Sequence, residues 1–210
     1  AGVSPPRFVL TLITPQPLDL GRLREALEGA PEGAVSVQLR QAEAAERHRL
    51  AEPVLELCRA RGAALIVNAD LALAAALGAD GVQLPERGPS LEEARAALGD
   101  DVWLGVSRHD AEGLARASEA CFALVSPVFA VPGKGAPLGV DGFARTVAAA
   151  RTPVHALGGV DARHGAALRA AGAAGLAVIR AVFDADAPAE AARALVAPFL
   201  EPPPDGGATR

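Results

Sequence analysis

Residues 64–84 read ALIVNADLALAAALGADGVQL and contain one strand–helix–strand unit. Ala64–Asn68 is a short apolar run, Ala69–Leu77 has the composition of a helix, and Asp80–Leu84 forms a second apolar run. Neither run alternates between apolar and polar residues, which is typical of strands that are buried on both faces of a parallel sheet. The stretch therefore predicts two neighbouring parallel strands joined by a helix.

The same alternation of apolar runs and helical stretches extends in both directions along the chain. The predicted strands are Phe8–Thr14, Ala34–Arg40, Ala64–Asn68, Asp80–Leu84, Val102–Val106, Phe122–Val128, Pro153–Leu157 and Gly175–Ile179. Eight such units predict an α/β fold, a single (β/α)8 TIM barrel over residues 1–200. The alternative, a doubly wound open sheet, usually has a glycine-rich turn after its first strand, but residues 14–17 read TPQP. Residues 201–210, EPPPDGGATR, predict a disordered tail.

The composition excludes several classes of protein. Half of the 210 residues are apolar, which excludes an extended disordered chain. The net charge is −5 and the 20 basic residues are scattered, which argues against a nucleic-acid partner. No apolar run reaches the roughly 18–20 residues of a membrane span. Cys58 and Cys121 stand apart in apolar surroundings and predict reduced thiols in a cytoplasmic protein, and the sequence leaves a homo-oligomer open.

Two residue types occur only once. Lys134 is the single lysine beside 19 arginines, and Asn68 is the single asparagine. A residue type that the chain otherwise avoids tends to remain where other types fail, so both residues are candidates for function. Both follow predicted strands, and in a TIM barrel the groups that bind and react lie at the carboxyl ends of the strands.

Gln38, Arg40 and Asn68 are predicted substrate-binding residues at the ends of the second and third strands. Because Gln38 and Arg40 are two residues apart, they face the same side of their strand. An arginine inside a barrel needs an anionic partner, which is either a phosphate or carboxylate of a ligand or the side chain of Glu86. Asn68 contacts a ligand, caps the helix that begins after it, or does both.

Three loops after later strands predict anion binding. Residues 129–139, FAVPGKGAPLG, form a long loop that is typical of a lid, and Lys134 within it is a predicted substrate-binding residue. Gly158 and Gly159 follow the seventh strand and Ile179–Arg180 follows the eighth, which is the usual phosphate-binding position in such barrels. These four residues form the predicted phosphate site.

His109, after the fifth strand, is the predicted catalytic residue. An unperturbed histidine titrates near physiological pH and can serve as a general acid or base. Ser107 and Ser126 are predicted to bind substrate, although loop hydroxyls also satisfy backbone groups. His155 lies inside the seventh strand and is predicted to be packed and hydrogen-bonded. His164 is predicted to be an exposed helix residue.

Six stretches carry a resemblance to a known family. They are residues 37–40, VQLR; 66–85, IVNADLALAAALGADGVQLP; 105–110, GVSRHD; 126–139, SPVFAVPGKGAPLG; 153–160, PVHALGGV; and 172–195, GAAGLAVIRAVFDADAPAEAARAL. With them the chain resembles thiamine-phosphate synthases and TenI-type thiazole tautomerases over residues 8–197. The resemblance implies a thiazole-phosphate pocket in a barrel, with the phosphate on the last two loops. It also implies that Gln38 and Arg40 face the substrate and that His109 is catalytic.

Departures from the family pattern separate its two activities. The resemblance implies that synthases carry metal-binding carboxylates at the positions of Ala69 and Gly88 and a cation at that of Ala42. We therefore expect a metal-free thiazole tautomerase that acts on a thiazole phosphate carboxylate and needs no cofactor. One alternative is a thiamine-phosphate synthase that joins thiazole phosphate and pyrimidine pyrophosphate, with Mg²⁺ held by Asp70 or Glu86. The others are a non-catalytic regulatory binder of thiazole or thiamine phosphates and a sugar-phosphate isomerase.

Overall fold

The computed structural model describes residues 4–200, and its centre is a closed barrel of eight parallel strands. The strands are β1 Leu10–Ile13, β2 Val35–Leu39, β3 Ala64–Asn68, β4 Gly81–Leu84, β5 Trp103–Arg108, β6 Phe122–Val125, β7 Val154–Leu157 and β8 Gly175–Val178. Each strand pairs with its neighbours in sequence, and the circle closes where β1 pairs with β8. The predicted α/β class and single (β/α)8 barrel are confirmed, and the open sheet is excluded.

Helices follow the strands and surround the barrel. They are α1 Leu20–Glu28, α2 Ala44–Ala60, α3 Leu71–Leu77, α4 Leu91–Leu98, α5 Ala111–Arg116, α6 Gly139–Val147, α7 Gly165–Ala170, α8 Arg180–Phe183 and α9 Pro188–Leu200. A 3₁₀ turn, Ala162–His164, precedes α7. The sequence did not predict the short helix α8, because a single helical turn has no measurable periodicity.

Apolar side chains fill two regions. The larger core lies between the outer faces of the strands and the helices, and it explains why most strands are buried on both faces. A smaller cluster fills the barrel itself and consists of Phe8, Ile13, Ile66, Phe122, Leu124 and Ala177. Phe8 precedes β1, and its ring meets those of Trp103, Phe122 and His155 edge-on at centroid distances of 5.9, 5.2 and 5.5 Å. These rings fill the amino-terminal end of the barrel.

A short chain of buried polar groups accompanies these rings. The Ser36 hydroxyl donates to Oγ1 of Thr11 at 3.0 Å, and the Thr11 hydroxyl lies 3.3 Å from Nδ1 of His155. All three residues are buried. Burial lowers the pKa of His155 to about 4, so the imidazole is neutral at physiological pH. The prediction of a packed, hydrogen-bonded histidine is confirmed.

The remaining general expectations concern thiols, membranes and the tail. Cys58 and Cys121 are free, and burial raises the pKa of the Cys58 thiol to about 12, which makes that thiol unreactive. Within residues 4–200, no helix combines the length and the apolar character that crossing a membrane requires. The predicted disordered tail, residues 201–210, lies outside the described residues.

Candidate active site

A cavity of about 610 Å³ opens at the carboxyl ends of the strands. Its walls include all eleven predicted site residues: Gln38, Arg40, Asn68, Ser107, His109, Ser126, Lys134, Gly158, Gly159, Ile179 and Arg180. The volume lies in the range of pockets that bind small organic molecules. The structure thus brings the predicted residues together at one end of the barrel, whereas their individual roles stay predictions.

Other residues of the cavity were not predicted as site residues. Its floor is apolar and is formed by Ile13, Leu124, Leu157 and Ala177. Inward alternation along the strands could have identified them, because Leu124 follows Phe122 by two residues and faces the same interior. Glu86, after β4, also lines the cavity. The sequence suggested Glu86 as a partner of Arg40 or as a magnesium ligand, and not as a partner of His109. Its place two residues after the end of β4 is the signal that marks it as a residue of the mouth.

His109 is held by its Nδ1 atom, which lies 2.6 Å from the carbonyl oxygen of Ser126. A carbonyl oxygen only accepts hydrogen bonds, so Nδ1 must carry the hydrogen. Nε2 is then the atom that exchanges a proton, and it lies 3.9 Å from a carboxylate oxygen of Glu86. Both side chains are about half exposed, at 50% and 56%, which leaves them open to a ligand. The arrangement suits a proton donor or acceptor at the rim of the cavity.

Three cations line the cavity: Arg40, Lys134 and Arg180. All three are exposed, and within residues 4–200 no carboxylate lies within ion-pair distance of any of them. The structural alternative in which Arg40 pairs with Glu86 is therefore excluded, since Glu86 faces His109 instead. Cations without a protein partner leave their charge available to an anionic ligand.

Asp70, one of the two carboxylates considered for a metal, is engaged elsewhere. Ala69 adopts a φ of 61°, and α3 begins only at Leu71, with Asp70 as its N-cap. One carboxylate oxygen accepts from the backbone N–H of Leu73 at 3.0 Å, and the other binds the guanidinium of Arg47 at 3.0 Å. The helix cap is thus Asp70 and not Asn68, which corrects one of the two predictions for Asn68.

The side chains of the described residues do not assemble a divalent-cation site. Within residues 4–200, no group of three His, Cys, Asp or Glu residues is arranged to hold a metal ion. Besides Glu86, the cavity wall carries the carboxylate of Asp161, which pairs with Arg163 at 2.7 Å. The hydrogen bonds of Arg163 lower the pKa of Asp161 below its usual range. One half-exposed carboxylate, Glu86, remains, and a single carboxylate holds Mg²⁺ only together with water and the phosphate oxygens of a bound substrate.

Gly158 and Gly159 form a tight turn that other residues would not adopt. Their φ angles are 99° and 63°, in the left-handed region. A Cβ atom on Gly158 would lie 2.9 Å from Cα of Pro127, and one on Gly159 would lie 2.8 Å from Cβ of Phe129. The glycines therefore let the loop after β7 approach the loop after β6 closely.

The loops after β7 and β8 also present unused backbone donors. The N–H groups of Gly159, Arg180 and Ala181 reach no acceptor in the part of the chain that the structure describes, and all three residues line the cavity. With the guanidinium of Arg180, they form an edge rich in donors and positive charge. Such an edge suits a phosphate group.

The long loop after β6 is anchored at its base. The N–H of Phe129 donates to the carbonyl of Gly158 at 2.9 Å, and its ring stacks on His164 at a centroid distance of 3.9 Å. His164 is therefore half-buried and not exposed as predicted. The tip of the loop, residues 132–137, is exposed and carries Lys134. Closure of this loop as a lid stays a prediction.

Two buried amide groups at or next to the cavity each have one atom without a hydrogen-bond partner. Nε2 of Gln38 has no acceptor and Oε1 of Gln83 has no donor, and within residues 4–200 these are the two buried side-chain atoms left unpaired. Nε2 of Gln83 donates to the hydroxyl of Ser107 at 3.0 Å. Buried polar groups are nearly always paired in folded proteins, so an unpaired one at a cavity marks capacity for a ligand.

Comparisons with known proteins agree on one family. The sequence profile described as "Thiamine monophosphate synthase" matches residues 10–182. The chain is 41% identical to "Putative thiamine-phosphate synthase" of Geobacter sulfurreducens, over 93% of this chain and 95% of that protein. It is 40% identical to "Thiamine-phosphate synthase" of Chromobacterium violaceum, over 93% and 98%. A solved structure, "Thiamine phosphate pyrophosphorylase from Pyrococcus furiosus", superposes with a TM-score of 0.80 at 26% identity, covering 92% of this chain and 96% of that one.

These relatives show that the expected thiazole tautomerase is wrong. The expectation rested on the missing metal carboxylates at Ala69 and Gly88. Missing carboxylates bear on how a metal is held and not on which bond is made, because protein cations can also neutralise a leaving group. The cavity carries three such cations, Arg40, Lys134 and Arg180.

Proposed function

The chain belongs to the thiamine monophosphate synthase family, and we propose on that premise that it is a thiamine-phosphate synthase. In this reaction, a transferase joins thiazole phosphate to the methyl carbon of a pyrimidine diphosphate ester and releases pyrophosphate. The enzymatic names of the relatives support a catalyst over a regulatory binder. The open cavity of about 610 Å³ supports the same choice, since its volume suits small organic substrates.

The chemistry of the reaction determines which charge the site has to stabilise. The carbon–oxygen bond between the methyl carbon and the diphosphate breaks, and the ring nitrogen of the thiazole supplies the electron pair of the new carbon–nitrogen bond. That nitrogen carries no hydrogen, so no base has to remove one. The departing diphosphate gains negative charge, and this charge is what the enzyme has to stabilise.

The three unpaired cations of the cavity are the observation that carries the proposal. Arg40 and Lys134, from the loops after β2 and β6, would hold the diphosphate and stabilise it as it leaves. Arg180 and the free N–H groups beside Gly158, Gly159 and Ile179 would hold the phosphate of the thiazole. Two anionic groups are thereby assigned to two different parts of the cavity wall.

His109 is the proposed catalytic residue of this reaction. With Nδ1 bonded to the Ser126 carbonyl, a protonated ring would offer its Nε2 hydrogen to an oxygen of the departing pyrophosphate. Glu86 at 3.9 Å would pair with the protonated ring before the substrate binds. The roles proposed for Gln38 and Asn68 are to bind the pyrimidine, since both reach the cavity with amide groups.

The proposal does not route the reaction through a metal. The resemblance to synthases implies Mg²⁺, but Asp70 is paired with Arg47 and Glu86 faces His109. The pocket cations are proposed to supply the positive charge instead, with no resident cofactor. The cytoplasm is the proposed location, in line with the free thiols of Cys58 and Cys121.

The experiment is a direct assay of the protein with thiazole phosphate and the pyrimidine diphosphate. Thiamine phosphate and pyrophosphate are expected in equal amounts under two conditions, with added Mg²⁺ and with a chelator of divalent cations. A matched control is Arg24→Ala, which removes an exposed arginine of α1 outside the cavity and should retain the wild-type rate. Absence of thiamine phosphate under both conditions would reject the proposed function. Product that forms only with added Mg²⁺ would reject its metal-free form.

A further inference from the structure

Gln83, on β4, lies inside the barrel beside the cavity but does not form its wall. Its Nε2 atom donates to the hydroxyl of Ser107 at 3.0 Å, and Ser107 does line the cavity. We propose that Gln83 is a positioning residue: it holds the Ser107 hydroxyl as a hydrogen-bond donor toward an oxygen of the substrate diphosphate. This inference rests on the proposed synthase function, which supplies the diphosphate.

The hydrogen bond determines which way the serine hydroxyl can act. A serine hydroxyl has one hydrogen and two lone pairs. The amide N–H of Gln83 occupies one lone pair, so the hydrogen of Ser107 remains free for another acceptor. Within residues 4–200, the Ser107 hydroxyl donates to no group. The acceptor is therefore to be sought in the cavity that Ser107 lines.

A glycine makes the contact sterically possible. Gly105 pairs with Gln83 in the register of β4 and β5, and Ser107 lies two residues further along β5 on the same inward face. A Cβ atom at Gly105 would lie 2.5 Å from Oε1 of Gln83 and 2.2 Å from the ring of Phe122. Because glycine has no Cβ, the amide of Gln83 on β4 reaches the hydroxyl of Ser107 on β5.

The unpaired oxygen of the same amide argues against a purely structural role. Oε1 of Gln83 is buried and meets no donor in the described part of the chain. A buried acceptor without a donor lowers stability, and an apolar side chain of similar volume would avoid that loss. Packing alone therefore does not account for a glutamine here, whereas the bond to Ser107 does.

Position in the barrel indicates which substrate group the hydroxyl meets. Ser107 lies on β5, His109 directly follows that strand, and Lys134 lies in the loop after the neighbouring strand β6. The free N–H groups assigned to the thiazole phosphate lie after β7 and β8. The Ser107 hydroxyl thus joins the cations assigned to the diphosphate, where an O–H donor strengthens the binding of an anionic oxygen.

The test is a double-mutant cycle with Gln83→Leu, Ser107→Ala and the combined variant. Affinity for inorganic pyrophosphate is measured by calorimetry, and kcat and the KM for thiazole phosphate by the synthase assay. Ser107→Ala should lower pyrophosphate affinity and kcat by about tenfold and Gln83→Leu by about three- to tenfold, with little change in that KM. Adding Gln83→Leu to Ser107→Ala should change neither quantity by more than about twofold.

Two further variants sharpen the cycle. Gln83→Glu replaces the donor by a carboxylate that attracts the serine hydrogen, so it should lower pyrophosphate affinity at least as much as Gln83→Leu. Ser36→Ala breaks a buried hydrogen bond at the other end of the barrel and should leave both pyrophosphate affinity and kcat unchanged. Gln83→Met takes the place of the leucine variant if that variant does not fold.

Wild-type pyrophosphate affinity and kcat in Gln83→Leu would overturn the inference. An equal loss from Gln83→Leu with and without the Ser107 hydroxyl would overturn it as well, because it would indicate a packing effect. A protein that shows the coupled loss of pyrophosphate affinity but forms no thiamine phosphate would support the Gln83 role and reject the proposed function. The two failures are thus distinguishable.

Discussion

Ser36 and Gln38 lie two residues apart on β2 and both point into the barrel, yet their polar groups differ in one respect. The Ser36 hydroxyl donates to Thr11, which in turn contacts His155, so the polar groups at the amino-terminal end are paired. Nε2 of Gln38, towards the carboxyl-terminal mouth, has no acceptor although it is buried. Among the residues that the structure describes, the cations of the mouth, Arg40, Lys134 and Arg180, likewise have no carboxylate partner.

The two ends of the barrel therefore differ in their capacity to bind a ligand. A paired buried group contributes to stability, whereas an unpaired one lowers stability until a ligand supplies the partner. The amino-terminal end is therefore expected to respond to substitution in its stability. The mouth is expected to respond in binding and rate. Each of the following experiments tests that division.

The largest expected effect is on the rate at the mouth. Arg40→Ala and Lys134→Ala should each lower kcat/KM for the pyrimidine diphosphate by about 10²-fold, because each removes a charge that stabilises the leaving group. Steady-state kinetics with pyrophosphate detection measures the change. Arg24→Ala is the matched control, since it removes an exposed arginine that does not line the cavity. Rates within twofold of wild type in both pocket variants would contradict the expected role of the mouth in catalysis.

A second experiment substitutes Ser36 and Gln38, the two polar residues of β2, one at a time. Gln38→Met should lower substrate affinity by roughly 10-fold while leaving the free energy of unfolding unchanged or raising it by about 1 kcal/mol, because an unpaired buried donor disappears. Ser36→Ala should lower the free energy of unfolding by about 1 kcal/mol and keep full activity. Urea denaturation and substrate titration measure both quantities. The comparison fails if Gln38→Met proves the less stable of the two variants.

A third experiment tests whether Arg180 contacts the phosphate of the thiazole substrate. Arg180→Ala should weaken thiazole phosphate by about tenfold and leave the dephosphorylated thiazole alcohol almost unaffected, because the guanidinium would contact the phosphate alone. Calorimetric titration of both ligands measures the two affinities. Equal weakening of both would show that Arg180 does not contact the phosphate.

The smallest expected effect is the pH dependence of the amino-terminal end. Burial lowers the pKa of His155 to about 4, below the value of about 6.5 in an unfolded chain. The unfolded state therefore binds the proton more readily, and stability falls as the pH drops from 6.5 towards 4. Between pH 6.5 and 5.5, the loss is expected to be about 1 kcal/mol at most.

His155→Gln tests this contribution, because an amide keeps hydrogen-bonding groups but takes up no proton in this range. Urea denaturation at the two pH values should show a smaller loss of stability in the variant than in the wild type. The control is His48→Gln, which replaces an exposed histidine of α2 and should retain the wild-type pH dependence. Identical pH profiles for wild type and His155→Gln would contradict the assignment.

Much of the barrel and of the cavity wall could be predicted from the sequence. Continuous apolar runs such as residues 64–68 predicted buried parallel strands, because local hydrophobicity reports burial on both faces. The cavity residues could be predicted in turn, because a closed parallel barrel brings the carboxyl ends of all its strands to one mouth. Lys134 and Asn68, each the only residue of its type, lie there.

The details of pairing were decided by the tertiary structure alone. The left-handed φ of Ala69 made Asp70 the helix cap and directed its carboxylate to Arg47, on another helix. The register of β4 against β5 placed Gln83 over Gly105 and within reach of Ser107. The sequence determined which residues end each strand, since that follows from local patterning. Only the closed barrel decided which side chains find a partner, because pairing depends on distances between segments far apart in the chain.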